Sequence, residues 1–129
     1  MEYSLQEKID NAVKWIDALP SYKQAPYGHR ARLGDETRGF CCLGVGCHVL
    51  DMDYDPSRGI SKPFQHKVGL TTDMGGIGDG LYYGRSCLTQ VNDSTKAGFK
   101  RIAKFIKNNP EKVFDENIAE GIKEHYNLK

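Results

Sequence analysis

The sequence lacks the features that define several large classes of protein. No apolar run approaches the roughly 20 residues that a transmembrane helix requires, so no membrane partner is expected. The first residues are charged and amphipathic and lack the apolar segment of a signal peptide, which predicts a cytoplasmic protein. The net charge is only +1, so no strong field would attract long nucleic acid. Any ligand must therefore be held by local chemistry.

Common signatures of metal and phosphate sites are also missing. The cysteines and the histidine of the "GFCCLGVGCHVLD" segment do not have the Cys-x-x-Cys spacing that structural zinc favours, so no metal is predicted. The glycine-rich "DMGGIGDGL" lacks the Lys-Ser/Thr ending of a phosphate-binding loop and is more typical of a hairpin tip. No cofactor is expected, and cysteines in a reducing compartment are expected to be free thiols.

Length and patterning predict one small domain of the α+β class. The chain has 129 residues, which fits a single domain spanning 1–129. Hydrophobic residues make up 39% and charged residues 27%, as in an ordinary globular protein. Helical segments flank a glycine-rich, β-prone middle. We therefore expect three to four helices packed with a small antiparallel sheet or hairpin.

The first helix is the most secure element. Ser4 and Glu7 form a capping box, and Pro20 ends the helix. Trp15 flanks the apolar stripe and is expected to pack beside it. The stripe recurs at helical spacing and is predicted to be core: Leu5, Ile9, Ala12, Val13, Ile16 and Leu19.

The segment from Cys42 to Leu50 fits either a helix or a strand. We favour a short buried helix, although Gly44 and Gly46 destabilise both a helix and a strand. Glycines at this spacing suggest that another backbone approaches closely.

The rest of the chain contains a loop, a β-prone stretch and two helices. We predict a loop over 51–66 and short strands between 67 and 91. "NDS" at 92–94 is expected to cap a helix that ends before Pro110, with an apolar stripe and a separate lysine face. A last helix over 116–125 follows Asp115 as its cap.

A long basic and aromatic stretch, residues 20–40, has the strongest binding chemistry. It shows no helical period, and long loops in compact domains are more often functional than idle. Arginine side chains bind phosphates bidentately, tyrosine rings stack on bases, and glutamine recognises polar edges. Alternatively, Asp35 and Glu36 neutralise part of the charge in a solvated loop. The residues predicted to hold a ligand, including two at the next helix cap, are Tyr22, Gln24, Tyr27, Arg30, Arg32, Arg38, Asn92 and Asp93.

A cysteine-dependent hydrolase or transferase is the main alternative. Cys41 or Cys42 would begin a helix, where the positive end of the dipole lowers the pKa of a thiol. His48 would lie more than a turn from either sulfur, so a base would have to come from elsewhere in the fold. The buried-core interpretation of the cysteines competes with this alternative.

Motifs in both halves of the chain resemble one family of small proteins. The relevant stretches are "SYKQ", "FCCLGVGCHVL" and "LTQVNDSTKAGFKRIAKFI". The matching positions are Tyr22, Gln24, Gly28 or Gly34, Leu33, Phe40, Cys41, Cys42, Leu43, Gly44, Val45, Cys47, Leu88, Asn92 and Asp93. The chain resembles a family common in tailed phages and some bacteria. Relatives carry a larger apolar residue in place of Gly46 and an acid in place of His48.

The resemblance implies a phage origin, and by analogy interference with a host process such as nucleotide-signalled defence. Together with the loop chemistry, it predicts a non-catalytic protein that binds and sequesters a small phosphorylated, nucleotide-like ligand in the bacterial cytoplasm. A homo-oligomer is a possible assembly. A third hypothesis is an inhibitor that binds a host enzyme through Tyr82, Tyr83 and Phe64.

Overall fold

A computed structural model describes residues 3–25, 33–57, 61–72, 88 and 98–126. Six α-helices, a 3₁₀ turn and a two-stranded antiparallel sheet form this described part, which confirms the α+β class. The elements are α1 (Leu5–Ala18), a 3₁₀ turn (Leu19–Ser21), β1 (Gly34–Asp35), β2 (Gly39–Phe40), α2 (Cys42–Val49), α3 (Lys62–Val68), α4 (Phe99–Asn108), α5 (Pro110–Val113) and α6 (Glu116–Tyr126). Within these residues no helix has the length and apolar character needed to span a membrane.

Helix α1 forms as its sequence predicts. The Ser4 hydroxyl accepts a hydrogen bond from the Glu7 amide at 3.1 Å, and the Glu7 carboxylate accepts one from the Ser4 amide at 3.2 Å. This reciprocal capping box satisfies two amides that the helix itself leaves unpaired. The predicted stripe is buried except for Leu5, which is 49% exposed because it lies in the first turn. The expectation that Leu5 belongs to the core was therefore wrong.

Trp15 is the centre of the hydrophobic core. Its side chain is fully buried, and its ring packs edge-on against Phe64 at 5.0 Å and Phe114 at 6.1 Å. Its indole N–H donates to the Cys42 carbonyl oxygen at 2.8 Å, so the ring is buried without leaving its donor unpaired. One cluster of buried side chains, to which α1–α6 all contribute, surrounds this residue.

Helix α2 confirms the helical interpretation of the segment after Cys41. Its two glycines are required by packing. A Cβ at Gly44 would overlap the backbone carbonyl of Leu33, so another backbone does approach there as predicted. A Cβ at Gly46 would overlap the Phe64 ring, which occupies the space that a larger residue would need.

Helix α3 corrects the predicted loop over 51–66. The Ser61 hydroxyl caps it by accepting from the Phe64 amide at 3.2 Å, and Gly69 ends it in the left-handed conformation with φ 75°. Only Phe64 and Val68 are buried along it, so the helical period was too short to recognise. The predicted strand at "KVGLTT" is likewise wrong: Val68 is helical, and Leu70 makes only an isolated bridge to Phe114.

Of the two predicted C-terminal helices, α6 agrees with the prediction and α4 differs only in where it begins. Gly98 is extended, with φ −78° and ψ 169°, and is the N-cap of α4. The expected cap at 92–94 was therefore wrong for this helix, while its predicted end before Pro110 is confirmed. Helix α6 begins at Glu116 as predicted, and the Asp115 carbonyl accepts its first backbone bond from Ala119. The described antiparallel pair lies at 34–40, and the β-prone residues 73–87 lie outside the described residues.

Candidate functional site

Strand β2 aligns the beginning of the basic and aromatic stretch. The Phe40 amide donates to the Lys23 carbonyl at 2.8 Å, and the Ala25 amide donates to the Phe40 carbonyl at 3.0 Å. These bonds make Gln24 the parallel bridge partner of Phe40. Two segments that are separated in sequence are thereby fixed side by side.

The turn between β1 and β2 contains Arg38, directly before the strand that pairs with the segment around Gln24. The Asp35 carboxylate accepts from the backbone amides of Thr37 at 3.0 Å and Arg38 at 2.8 Å, which stabilises a tight turn. Gly34 and Gly39 on either side have φ values of 87° and 93°, a conformation that favours glycine. Arg38 is exposed, directly before the strand that contacts Gln24.

Three rings cluster on this side of the molecule. Tyr22 packs edge-on against Phe40 at 5.7 Å, and His48 lies 5.5 Å from Tyr22 and 5.2 Å from Phe40. The His48 Nε2 atom is also 3.0 Å from the Glu36 carboxylate. Phe40 itself is buried, and we call the surface around it the Phe40 edge; its members are Tyr22, Gln24, Glu36, Arg38 and His48.

Helix α4 begins beside the Phe40 edge. A Cβ at Gly98, the N-cap of α4, would lie 3.9 Å from the Gln24 side-chain oxygen. The first turn of α4 contains no acidic residue, whereas Lys100 and Arg101 follow directly. The helix dipole and these cations make this end of the helix favourable for negative charge.

Of the eight predicted ligand-binding residues, Tyr22 and Gln24 contact Phe40, and Arg38 lies on the turn directly before the same strand. The other five, Tyr27, Arg30, Arg32, Asn92 and Asp93, lie outside the described residues. The two ends of 26–32 are nevertheless anchored at neighbouring positions. Ala25 bonds to Phe40, and the Cys41 amide donates to the Leu33 carbonyl at 3.0 Å.

Sequence reasoning missed the participation of Glu36 and His48 in this surface. Glu36 was considered only as a neutralising charge and His48 only as a base for a cysteine. The contact depends on the hairpin turn and on the helical form of α2. The aromatic and basic composition of the region was the only available signal.

Two cavities lie elsewhere, and both are acidic. One of about 330 Å³ is bordered by Asp53, Asp55 and Lys62, together with Tyr54 and buried Ser61. Burial raises the pKa of Tyr54, whose hydroxyl donates to the Gly34 carbonyl at 2.8 Å. The second cavity, of about 520 Å³, lies between α5 and α6. It is bordered by Lys123 and by four carboxylates: Glu111, Asp115, Glu116 and Glu120. Neither lining suits a phosphate, and Tyr22, Gln24 and Arg38 contact neither cavity.

The cysteines of α2 are part of the core. Cys41 and Cys42 are 2% and 0% exposed. The Cys41 sulfur caps α2 by accepting from the Gly44 amide at 3.4 Å, and Cys42 lies 3.8 Å from the Leu88 carbonyl. Burial raises the pKa of the Cys47 thiol to about 11, although a hydrogen bond with Ser61 opposes this effect. Buried sulfurs cannot reach an external substrate without an opening of the core.

The described residues include no group of three or more histidine, cysteine, aspartate or glutamate side chains able to hold a metal ion. Comparison of the chain with protein-family models, curated proteins and solved structures found no match. The resemblance to the phage family therefore stays a prediction that these comparisons do not test.

Proposed function

We propose that the protein is a non-catalytic binder of a small phosphorylated, nucleotide-like molecule, and that the Phe40 edge holds this ligand. The biological role that we propose is the sequestration of a host nucleotide signal. The observation that carries the proposal is the arrangement around Phe40: Tyr22 packs on its ring, Gln24 is its bridge partner next to the N-terminus of α4, and the exposed Arg38 lies on the adjoining turn.

Each group supplies a distinct part of nucleotide recognition. The half-buried Tyr22 ring is held edge-on by Phe40 and offers a face on which a base can stack, worth about 1–3 kcal/mol. The Gln24 side chain supplies polar selectivity. The exposed guanidinium of Arg38 provides a bidentate phosphate partner.

The described residues on both sides of 26–32 are bonded next to the proposed site. Ala25 bonds to Phe40, and Leu33 bonds to Cys41. Arg30 and Arg32 therefore belong to a segment whose two ends flank the proposed site. We propose that they complete the phosphate contacts together with Arg38.

Isothermal titration calorimetry against cyclic nucleotides and ADP-ribose-type nucleotides tests the proposal. We expect one ligand class to bind in the micromolar range, about −8 kcal/mol. Tyr22→Ala and Arg38→Ala should each weaken binding about tenfold. Lys112→Ala, which removes an exposed cation on α5, is the matched control and should leave affinity unchanged. Silence across the panel, or equal affinity in all variants, would remove the proposal.

The cysteine-dependent alternative makes the opposite prediction for thiol reactivity. If the thiols are core, iodoacetamide should modify Cys41 and Cys42 at least about a hundredfold more slowly in the native protein than in urea, because they react only on opening. Fast modification of a single native cysteine would favour a nucleophile. The inhibitor alternative loses one contact residue, because Phe64 is fully buried against Trp15.

A further inference from the structure

The Glu36–His48 pair is the most specific polar contact on the Phe40 edge. Glu36 belongs to the hairpin turn and is 74% exposed, whereas His48 belongs to the last turn of α2 and is 34% exposed. Their contact joins the turn that contains Arg38 to the helix that supports Tyr22 and Phe40. An imidazole Nε2–H donates to the carboxylate at this 3.0 Å distance whether the ring is neutral or charged.

The space next to His48 Nε2 can therefore hold an anionic oxygen, which accepts the hydrogen bond of the ring N–H. In this structure a carboxylate occupies it, held next to the ring that we propose stacks on the ligand. A phosphate oxygen has the same charge and accepts the same hydrogen bond. Arg38 follows Glu36 by two residues on the same turn. An anion bound at His48 Nε2 is therefore close to the turn that carries the Arg38 guanidinium group.

Displacing Glu36 costs little. A charged pair that is partly or largely in solvent contributes little to stability, because water solvates the separated groups and ordering two side chains costs entropy. The Glu36 side chain is largely in solvent, so it can rotate away without disturbing the core. The imidazole itself is held by Tyr22 and Phe40 and stays in place.

We infer that His48 is an anion-binding residue of the Phe40 edge, and that the Glu36 carboxylate occupies the position of the ligand phosphate until the ligand displaces it. This inference rests on the proposed function, which it deepens by naming the residue that receives a phosphate and the contact that competes with it. Glu36 thus lowers affinity for every anion at this position and selects for ligands with enough negative charge to replace it.

Titration with inorganic pyrophosphate at constant ionic strength tests the inference. The ring nitrogens of His48 and the amides of the hairpin turn are followed by nuclear magnetic resonance. In the wild-type protein we expect these signals to shift together. Glu36→Gln should tighten pyrophosphate binding about two- to fivefold, since it removes the competing charge of an exposed pair. His48→Gln should weaken binding about tenfold.

Glu116→Gln is the matched control, because it removes the same charge from an exposed site on α6. It should change the affinity for pyrophosphate less than Glu36→Gln. Equal effects of the two substitutions would mean that only net charge matters and would overturn the inference. Absence of any His48 shift in both the wild-type and Glu36→Gln proteins would also overturn it.

The two proposals fail in different ways. If pyrophosphate binds at His48 but the nucleotide panel is silent, the nucleotide function is wrong and the anion position stands. If a nucleotide binds with equal affinity to the wild-type, Glu36→Gln and His48→Gln proteins, the function stands and the role of His48 is wrong.

Discussion

The Trp15 core and the Phe40 edge both combine aromatic rings with polar groups, but the polar groups are paired inside the protein in the core and partly solvated at the edge. In the core, the Trp15 N–H bonds to the Cys42 carbonyl, and every buried side-chain nitrogen or oxygen in the described part of the chain has a partner. At the edge, Arg38, Glu36 and His48 keep part of their polar surface in water. The core therefore contributes stability, and the edge keeps groups that can exchange one partner for another.

The largest expected difference between the two regions is in the free energy of unfolding. Trp15→Ala should cost about 3–5 kcal/mol, because it removes a fully buried ring and leaves the Cys42 carbonyl without its indole donor. Tyr22→Ala should cost clearly less, because the Tyr22 ring is only half-buried. Urea denaturation of both variants measures the difference. Equal losses would mean that the half-buried Tyr22 ring contributes as much to stability as the fully buried Trp15 ring.

The packing of α2 against Phe64 gives a second, smaller test. Gly46→Ala should destabilise the protein by about 1–3 kcal/mol despite the higher helix propensity of alanine, because the new Cβ would overlap an aromatic ring wedged against Trp15. Gly121→Ala in α6 is the matched control. Its Cβ would overlap the Cδ1 and Cγ1 atoms of Ile9, an aliphatic side chain at the margin of the core that can change rotamer more easily than the enclosed Phe64 ring, so a smaller loss is expected. A larger loss for Gly121→Ala would contradict this description of the core.

The buried Cys47 thiol predicts a modest loss of stability at alkaline pH. Its pKa is raised from 9.0 to about 11 in the folded protein, mainly by burial, so the folded state retains the proton longer than the unfolded state. The stability that comes from keeping this thiol protonated is fully present below pH 9 and is lost as the pH rises to about 11. Its size is on the order of 2 kcal/mol. Chemical denaturation at pH 8 and pH 10 measures about half of it, since at pH 10 only about one of the two pKa units has taken effect.

Cys47→Ala should flatten the pH dependence between pH 9 and 10. Tyr126, whose pKa is also raised, by burial and by its bond to Asp17, begins to contribute only near pH 10. An unchanged slope in the Cys47→Ala protein would show that the thiol is not responsible.

The elements that the sequence predicted are those specified by local interactions. Helix α1 follows from the Ser4–Glu7 cap and from apolar residues spaced along one face, and α2 follows from the same spacing despite its glycines. Helix α3 was missed because it is short and has Pro63 in its first turn. The start of α4 was misplaced because a good capping sequence at 92–94 gives no information about the backbone of Gly98.

The candidate site was predictable in composition but not in arrangement. Tyr22, Gln24 and Arg38 were identified as binding residues because their side chains suit a phosphorylated ligand. The contacts of Tyr22 and Gln24 with Phe40 depend on a parallel bridge, and the position of Arg38 depends on a hairpin turn; no local pattern encodes either. The Glu36–His48 contact joins two separate elements, so only the tertiary structure reveals it.

The central claim is that the Phe40 edge holds a small phosphorylated ligand, and native mass spectrometry tests it most directly. The wild-type, Arg38→Ala and Lys112→Ala proteins are each incubated with a bacterial nucleotide extract and transferred to the gas phase under gentle conditions. The account predicts an added mass of one nucleotide-like molecule on the wild-type and Lys112→Ala chains, and a strongly reduced adduct on Arg38→Ala. A bare mass for all three proteins, or an adduct equally abundant on all three, would contradict it.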